Sequence, residues 1–452
     1  MSATETPSPS AALVPALLRL AAPVAAARLG FMALGITDTI VVGQMAPHEL
    51  GFLALGWAPT GVMLVTGLGL LTGVQVLGAR AVGAGTPQEA GAVWRRGMAF
   101  GGAIGIVFAA FLFLFSDRLL HASGIAPELA SASARVTQVL AISLPFQFAQ
   151  LASSSFLEAI KRPAASAIVV WAANGLNLAL NLWLVPRFGA VGAAYATIGG
   201  RFFMAAVLAA WILFSVHGRA HGAREPARGM GGYRALLDVG VASGVSQLAE
   251  AGAFSLMTVL AARISADAVA AYQVLLNILA VVFMIALGFS AAGAVLVSEA
   301  IGRGDHARAA RAGWMALWLN TISMGVCAIV ILIGASAIAH AFTSDERLAA
   351  LIAGLAPLCA LIIFPDGGQT VMAQTLRGRG DNWFPSASHI LAYICVMPPL
   401  AYYLGEVLKR GVAGLMEAIT IASLLSVAVL MARFAFLARQ TPSTQPSSRS
   451  TI

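Results

Sequence analysis

Leu77–Gly97 reads LGARAVGAGTPQEAGAVWRRG and Val297–Trp314 reads VSEAIGRGDHARAARAGW. Superposed, they align Gly83 and Gly85 with Gly302 and Gly304, so an apolar helix ends in the same Gly-x-Gly turn at two places 219 residues apart. A second pair repeats the step. RFGAVGAAYAT (Arg187–Thr197) laid on KRGVAGLMEAI (Lys409–Ile419) matches Gly189 and Gly192 to Gly411 and Gly414 at an offset of 222, a short insertion apart. The chain therefore reads as two related halves, joined by the Gly- and Arg-rich segment HGRAHGAREPARGMGGYR from His217 to Arg234.

What the halves are made of follows from composition. Of 452 residues, 59% are hydrophobic and 10% charged, with a mean hydropathy of +0.85, against about 25% charged in a soluble domain. Apolar runs long enough to cross a bilayer, roughly 20 helical residues, recur throughout. Twelve are expected: 14–42, 50–78, 94–116, 132–158, 164–186, 190–216, 234–262, 268–300, 312–342, 348–376, 385–404 and 412–438. The fold class expected is an all-α integral membrane protein. Six spans per half is an even number, so the halves share one orientation and are related by a pseudo-two-fold axis along the membrane normal. The expected units are a first lobe over 1–216, a linker over 217–233, a second lobe over 234–438 and a disordered tail over 439–452, rich in Ser, Thr and Pro. The first segment reads as a retained helix, since no basic region precedes it and it exceeds a signal peptide's core.

Placing the N-terminus inside puts seventeen Lys and Arg residues in the inner loops and tails and six in the outer ones. This is the asymmetry expected of a multi-pass membrane protein with both termini cytoplasmic. It also accounts for the net charge of +8 without a nucleic-acid partner; the partner expected is the lipid bilayer, and the chain is expected to act as a monomer. Only two lysines occur, Lys161 and Lys409, each followed by arginine, so no GxxxxGK[ST] phosphate loop exists. The seven histidines are scattered, with no HExxH, which leaves no enzyme constellation. Cys327, Cys359 and Cys395 all fall in apolar spans and read as core packing.

A carboxylate at mid-membrane costs about 2.5–3.5 kcal/mol on insertion scales, so each needs a reason. Asp38 ends the first span, Glu250 sits within GVSQLAEAGAFSL, and Asp366 lies in LIIFPDGGQTVMAQ. Ser243, Gln247, Glu250 and Phe254 fall at steps of four, three and four, which places them on one helix face expected to line a cavity. There an apolar setting penalises the charged form, suiting Glu250 to take and release a proton. Pro365, Gly367 and Gly368 flank Asp366 and predict a kinked or unwound helix, whose freed carbonyls, with Gln369, make an oxygen-rich site able to hold Na+. Gln273 and Asn277 would add amide oxygens or serve as interhelical bonds. In the first half, Asn174, Asn177 and Asn181 line one face of the fifth span, and Gln147, Gln150 and Ser154 repeat that spacing on the fourth. Two such faces suggest a hydrated cavity near Asp38. Glu158 is expected to pair with Lys161 or Arg162, and Glu299 with Arg303.

In order and spacing, DTIVVGQ (Asp38–Gln44), GARAVGAGT (Gly78–Thr86), NLALNLWLV with GAVGAAYAT (Asn177–Thr197), AEAGAF (Ala249–Phe254), AAYQVLLNI (Ala270–Ile278), EAIGRGD (Glu299–Asp305) and PDGGQTVMAQTLRGRGD (Pro365–Asp381) resemble the MATE (multidrug and toxic compound extrusion) family, in its NorM-type branch. The resemblance spans about residues 15–438. It implies a V-shaped pair of six-helix lobes that exports organic cations in exchange for H+ or Na+, with no cofactor. By position it makes Asp38, Glu250 and Asp366 the ion-coupling residues, Glu250 and Asp366 being the Na+ ligands if sodium is the ion. The chain departs from the family at Tyr272, where histidine often stands, and in having a single aspartate in its tenth span, so proton and sodium both stay open. The alternative within the superfamily, a lipid-linked saccharide flippase, would need more cations in the cavity than Arg28, Arg135 and Arg201, each expected near a membrane face.

Overall fold

The computed structural model describes residues 12–225 and 232–440. Every regular element among them is helical: α1 (Leu13–Met45), a 3₁₀ turn (Pro47–Glu49), α2 (Leu50–Gly83), α3 (Pro87–Ala122), α4 (Pro127–Ile142), α5 (Leu144–Ala159), α6 (Pro163–Phe214), α7 (Val216–Ala220), α8 (Gly232–Ile264), α9 (Ala266–Gly302), α10 (His306–Phe342), α11 (Glu346–Gly354), α12 (Ala356–Arg379), α13 (Trp383–His389), a π-helical turn (Ile390–Val396), α14 (Met397–Tyr402), a second π-helical turn (Tyr403–Val407) and α15 (Gly411–Arg439). The expected linker enters α7 and turns to Glu225; positions 226–231 lie outside the described residues, as does the expected tail beyond Gln440.

Start signals set the helix boundaries. Proline stands in the first turn of α3, α4 and α6, where its missing N–H costs nothing. Ser265 accepts from Ala268 N at 3.0 Å to cap α9, and Asp305 accepts from Arg308 N at 2.8 Å to cap α10. Among the described residues, ten helical runs, the composite Trp383–Val407 counted as one, are long and apolar enough to span a membrane, and α4 with α5, bent by 43°, make an eleventh. The twelfth comes from α6, whose 52 residues reverse direction at Gly189. There φ is 59° and ψ −137°, a conformation essentially confined to glycine, and the chain doubles back so that Gly192 abuts the Leu184 carbonyl and Gly199 the Leu180 side chain. Ala190 N, opening the second arm, donates to Glu49 Oε2 at 2.7 Å.

The two-fold relation appears in contacts as well as sequence. A Cβ on Gly83 would strike the Glu299 backbone and one on Gly302 the Arg80 backbone. Shifted by 219 residues, each contact becomes the other. Gly69 against Gly244 and Gly288 against Ala25 form a second reciprocal pair. The halves thus meet through α2 on α8 and α9 on α1 at one end, where Leu13 and Leu17 pack with Ala292 and Ala300. At the other end they diverge around an apolar cavity of about 360 Å³ lined by Phe31, Met32, Trp57, Leu64, Met284 and Leu287, which continues outward past Ile36, Ile40 and Asn277. Outer helix faces carry exposed apolar side chains such as Ile106, Leu114, Val330 and Ile333, as lipid requires.

Proline 365 does not unwind its helix. α12 runs unbroken from Ala356 to Arg379; the break falls at Leu355, where α11 ends. Pro365 removes only the one donor that would have met the Leu361 carbonyl. Of the cysteines, Cys359 alone is buried; Cys327 is half-buried and Cys395 exposed, a correction to their reading as core.

Candidate functional site

In the first half, Asp38 sits on α1 two turns before its end and is fully buried. Asn177 and Asn181, one turn apart on the first arm of α6, donate to its Oδ1 at 3.1 and 2.7 Å. Thr197, on the returning arm, donates to Oδ2 at 2.5 Å. The hairpin at Gly189 is what brings Thr197 opposite the two asparagines. Arg201, one turn further, is close enough to interact with the Asp38 charge; its guanidinium stacks 5.2 Å over Trp57 and donates to Ser143 Oγ at 2.6 Å. The sequence reading missed Thr197 and expected Arg201 near a membrane face. Their signal was the i, i+4 spacing on the arm that follows Gly189.

Asn174 and Gln150 prove to be packing residues. Asn174 donates to the Gly30 carbonyl at 2.9 Å, tying α6 to α1, and Gln150 donates to Ser154, which meets Ser166 at 2.6 Å. Gln147, which donates to Gln150 at 3.1 Å, does line the cavity.

In the second half, Glu250 of α8 and Asp366 of α12 stand close enough to interact as like charges. Gln369 Nε2 donates to Glu250 Oε1 at 3.3 Å, while Asp366 Oδ1 and Gln369 Oε1 are buried with no protein partner. The Tyr393 hydroxyl, 3.1 Å from Ser423 Oγ, lies beside Asp366, and Phe254 covers Tyr393 with ring centroids 6.2 Å apart. The π-helical turn that begins at Ile390 carries Tyr393 inward, and His389 contacts its ring edge-on at 5.7 Å. Arg377 faces Glu250 electrostatically and donates to Ser246 Oγ at 2.6 Å. It reads in sequence as an inner-loop charge, yet it is buried.

Other expected members of this site lie elsewhere. The Ser243–Phe254 face divides: Ser243 bonds Thr72 of the first half at 3.2 Å, Gln247 borders a small polar pocket between the halves, and only Glu250 and Phe254 reach the carboxylate pair. Gln273 donates to Thr258 at 3.3 Å, and Asn277 donates to the Gln273 carbonyl at 2.9 Å while facing the outer cavity. Ser243 and Phe254 share a face but stand about 16 Å apart along the helix axis, at 1.5 Å per residue, so the two ends of that face meet different neighbours. Tyr272 is fully buried and donates to the Phe254 carbonyl at 3.3 Å, so its position serves packing.

Glu158 ignores its chain neighbours. It pairs with Arg28 at 3.4 Å and accepts from Gln75 at 2.6 Å, and Lys161 instead crosses to Glu299 at 2.5 Å. Glu299 also pairs with Arg303, as expected. Arg28 and Arg201 border the cavity, away from the faces where they were expected.

The MatE family model matches residues 23–183 and again 242–403, two copies starting 219 residues apart (23 and 242), the same offset as the internal repeat. A probable multidrug resistance protein NorM of Caulobacter vibrioides is 39% identical over 93% of this chain and 91% of its own length. The multidrug resistance protein NorM of Burkholderia vietnamiensis is 30% identical over 92% of each. Among solved structures, the eukaryotic MATE transporter AtDTX14 superposes with a TM-score of 0.87 over 96% of this chain and 99% of its own at 18% identity. A MOP superfamily transporter from Pyrococcus furiosus superposes with a TM-score of 0.88 over 95% and 96% at 19% identity. With its doubled bundle, its two enclosed acidic sites and these matches along nearly its whole length, the chain belongs to the MatE family of multi-pass membrane transporters, in the NorM-type branch.

Proposed function

We propose that the protein exports organic cations from the cytoplasm by alternating access, driven by inward movement of H+ or Na+. The observation that carries this reading is the Glu250/Asp366 pair. Two carboxylates beside one guanidinium, Arg377, leave a net charge of −1 in a buried site, and a single monovalent cation makes it neutral. A proton would bridge or cap the pair. A sodium ion would find Asp366 Oδ1 and Gln369 Oε1 already free of protein donors. Binding there from outside and substrate binding in the cavity are coupled reciprocally if each favours a different arrangement of the halves. A one-for-one exchange of monovalent cations gains nothing from voltage and draws on the ion gradient alone.

With both termini inside, the end where the halves meet is cytoplasmic and the cavity faces outward, the state in which a coupling ion enters. Asp38, already balanced by three donors and Arg201, is the second coupling group, and Gln147, Thr197, Arg28 and Arg201 are the polar points on a substrate wall that is apolar elsewhere.

The flippase alternative needs cavity cations free to hold a pyrophosphate. Arg201 is engaged by Ser143 and Trp57, and Arg28 by Glu158, which favours export of cations.

The test uses proteoliposomes with sodium and pH gradients imposed separately and efflux of a fluorescent cation as readout. Glu250→Gln abolishes the response to the driving gradient while the protein stays folded; full gradient-driven efflux in that variant would refute the assignment.

A further inference from the structure

Below the main cavity, where the halves converge, lies a pocket of about 30 Å³ whose walls come from both: Arg28, Gln75 and Glu158 from the first half, Gln247, Ser290 and Gln374 from the second. That space holds a water molecule or two, about 10–15 Å³ being needed for each, so a larger head fits only where the Arg28 guanidinium moves out of the way. Arg28 and Leu287 line this pocket and the main cavity alike, so the two are contiguous. Glu158 is buried, 4% exposed, and its two oxygens are held unequally. Gln75 fixes Oε2 at 2.6 Å, whereas Oε1 receives one long contact, 3.4 Å, from a single Arg28 nitrogen. A guanidinium can meet a carboxylate with two parallel bonds of about 2.7–2.9 Å, and this one does not. Opposite, Gln374 Oε1 is buried without a partner.

We propose that Glu158 is the substrate's charge-binding carboxylate, that the pocket around it accepts an amidinium, guanidinium or primary ammonium head, and that Arg28 occupies this position as an internal competitor when substrate is absent. The proposal rests on the export reading and names the substrate class it implies. An N–H-bearing head displaces the Arg28 guanidinium, takes Glu158 Oε1 as acceptor, and offers further N–H groups to Gln374 Oε1. An aromatic or aliphatic body extends into the apolar cavity above, between Phe31, Trp57 and Met284. That cavity, about 360 Å³, is within the range of small-molecule sites. The arrangement is confined to the first half. The residue equivalent to Glu158, 219 positions on, is Arg377, and the one equivalent to Arg28 is Gln247.

The experiment measures Kd of the purified, nanodisc-embedded protein for two cations: 4′,6-diamidino-2-phenylindole, with amidinium heads, and tetraphenylphosphonium, with no N–H. Arg28→Gln is expected to tighten the amidinium probe about tenfold. Glu158→Gln is expected to raise the ratio of amidinium to phosphonium Kd at least tenfold, and Glu158→Asp to raise it less. In the double variant the Arg28→Gln gain disappears. Arg28→Gln weakening the amidinium probe, or Glu158→Gln shifting both probes equally, would overturn the proposal, because a merely structural ion pair behaves that way. Wild-type protein that exports phosphonium on an ion gradient but binds no amidinium would overturn the subsite and leave the export reading standing; failure to export either cation would instead strike the export reading.

Discussion

Lys161 Nζ, on the turn after α5, lies 2.5 Å from Glu299 Oε2 at the end of α9 and so joins the two halves where they converge. Arg80 Nη2 makes a second link, donating to the Gly378 carbonyl at 3.1 Å. The pseudo-axis carries Glu299 to Arg80 and Lys161 to Gly380, so the second link starts from the equivalent position but ends two residues away, on a carbonyl where the first has an ammonium. These contacts must part for the cavity to open at this end.

Lys161→Ala therefore favours the parted state. The Lys161 side chain is 40% exposed but that of Glu299 only 4%, and Glu299 keeps Arg303, so the loss is at least that of an exposed pair, about 0.2–1 kcal/mol, or no less than roughly a 1.5- to fivefold shift. A cysteine at Ser290, in a background lacking Cys327, Cys359 and Cys395, reports it through its rate of modification from the cytoplasmic side. An unchanged rate means that the pair does not hold the halves together.

Asp38→Asn keeps an oxygen for Asn177 and Asn181 and sets an N–H₂ opposite Thr197, whose hydroxyl turns to accept from it. The hydrogen bonds between α1 and the α6 hairpin re-form, and what is lost is the negative charge facing Arg201. Transport is lost and cation binding in the cavity is retained within severalfold, as measured by efflux and equilibrium binding on the same preparation. Loss of binding in parallel with transport would make Asp38 a docking group.

Tyr393→Phe removes the hydroxyl beside Asp366 and leaves Ser423 without its partner. A hydrogen bond to a charged group is worth about 1.5–3 kcal/mol, so the concentration of coupling ion for half-maximal efflux moves roughly ten- to hundredfold. Substrate Kd, measured without a gradient, stays close to wild type. A change in substrate Kd alone would place Tyr393 in the substrate path.

Gly189→Ala forces a side chain into a backbone conformation that costs about 1–3 kcal/mol and drives its Cβ into the Glu49 carboxylate. Glu49→Ala removes only the cap on the second arm, about 0.5–2 kcal/mol. Both lower the melting temperature of the purified protein, Gly189→Ala more. The reverse order would show that the cap, not the turn, shapes the hairpin.

The halves, their offset and the acidic residues were legible because each is written in local periodicity. The Gly-x-Gly turns and the spacing of Asn177 and Asn181 carry their geometry with them. What was not legible is which groups meet. Arg28 and Glu158 are 130 residues apart, and Lys161, three positions from Glu158, looked the nearer partner. Arg377 resembled a topology signal because it stands two residues from Arg379, yet one faces Ser246 inside the lobe and the other the Leu437 carbonyl at the end of α15. Pro365 read as a kink or an unwound turn, but the helix runs through it unbroken, because losing one donor inside a packed bundle is tolerated where neighbouring groups satisfy the freed carbonyl.

Where Gly83 lies on Glu299 and Gly302 on Arg80, backbone rides on backbone with no side chain between them. Interlocked side chains would make this joint a ratchet, requiring each tooth to clear its socket before the lobes could move. A joint without teeth is a smooth bearing. At these two points, resistance to sliding would come from the polar links at the edge and from the Leu13 and Leu17 packing beside them, not from the backbone contact itself.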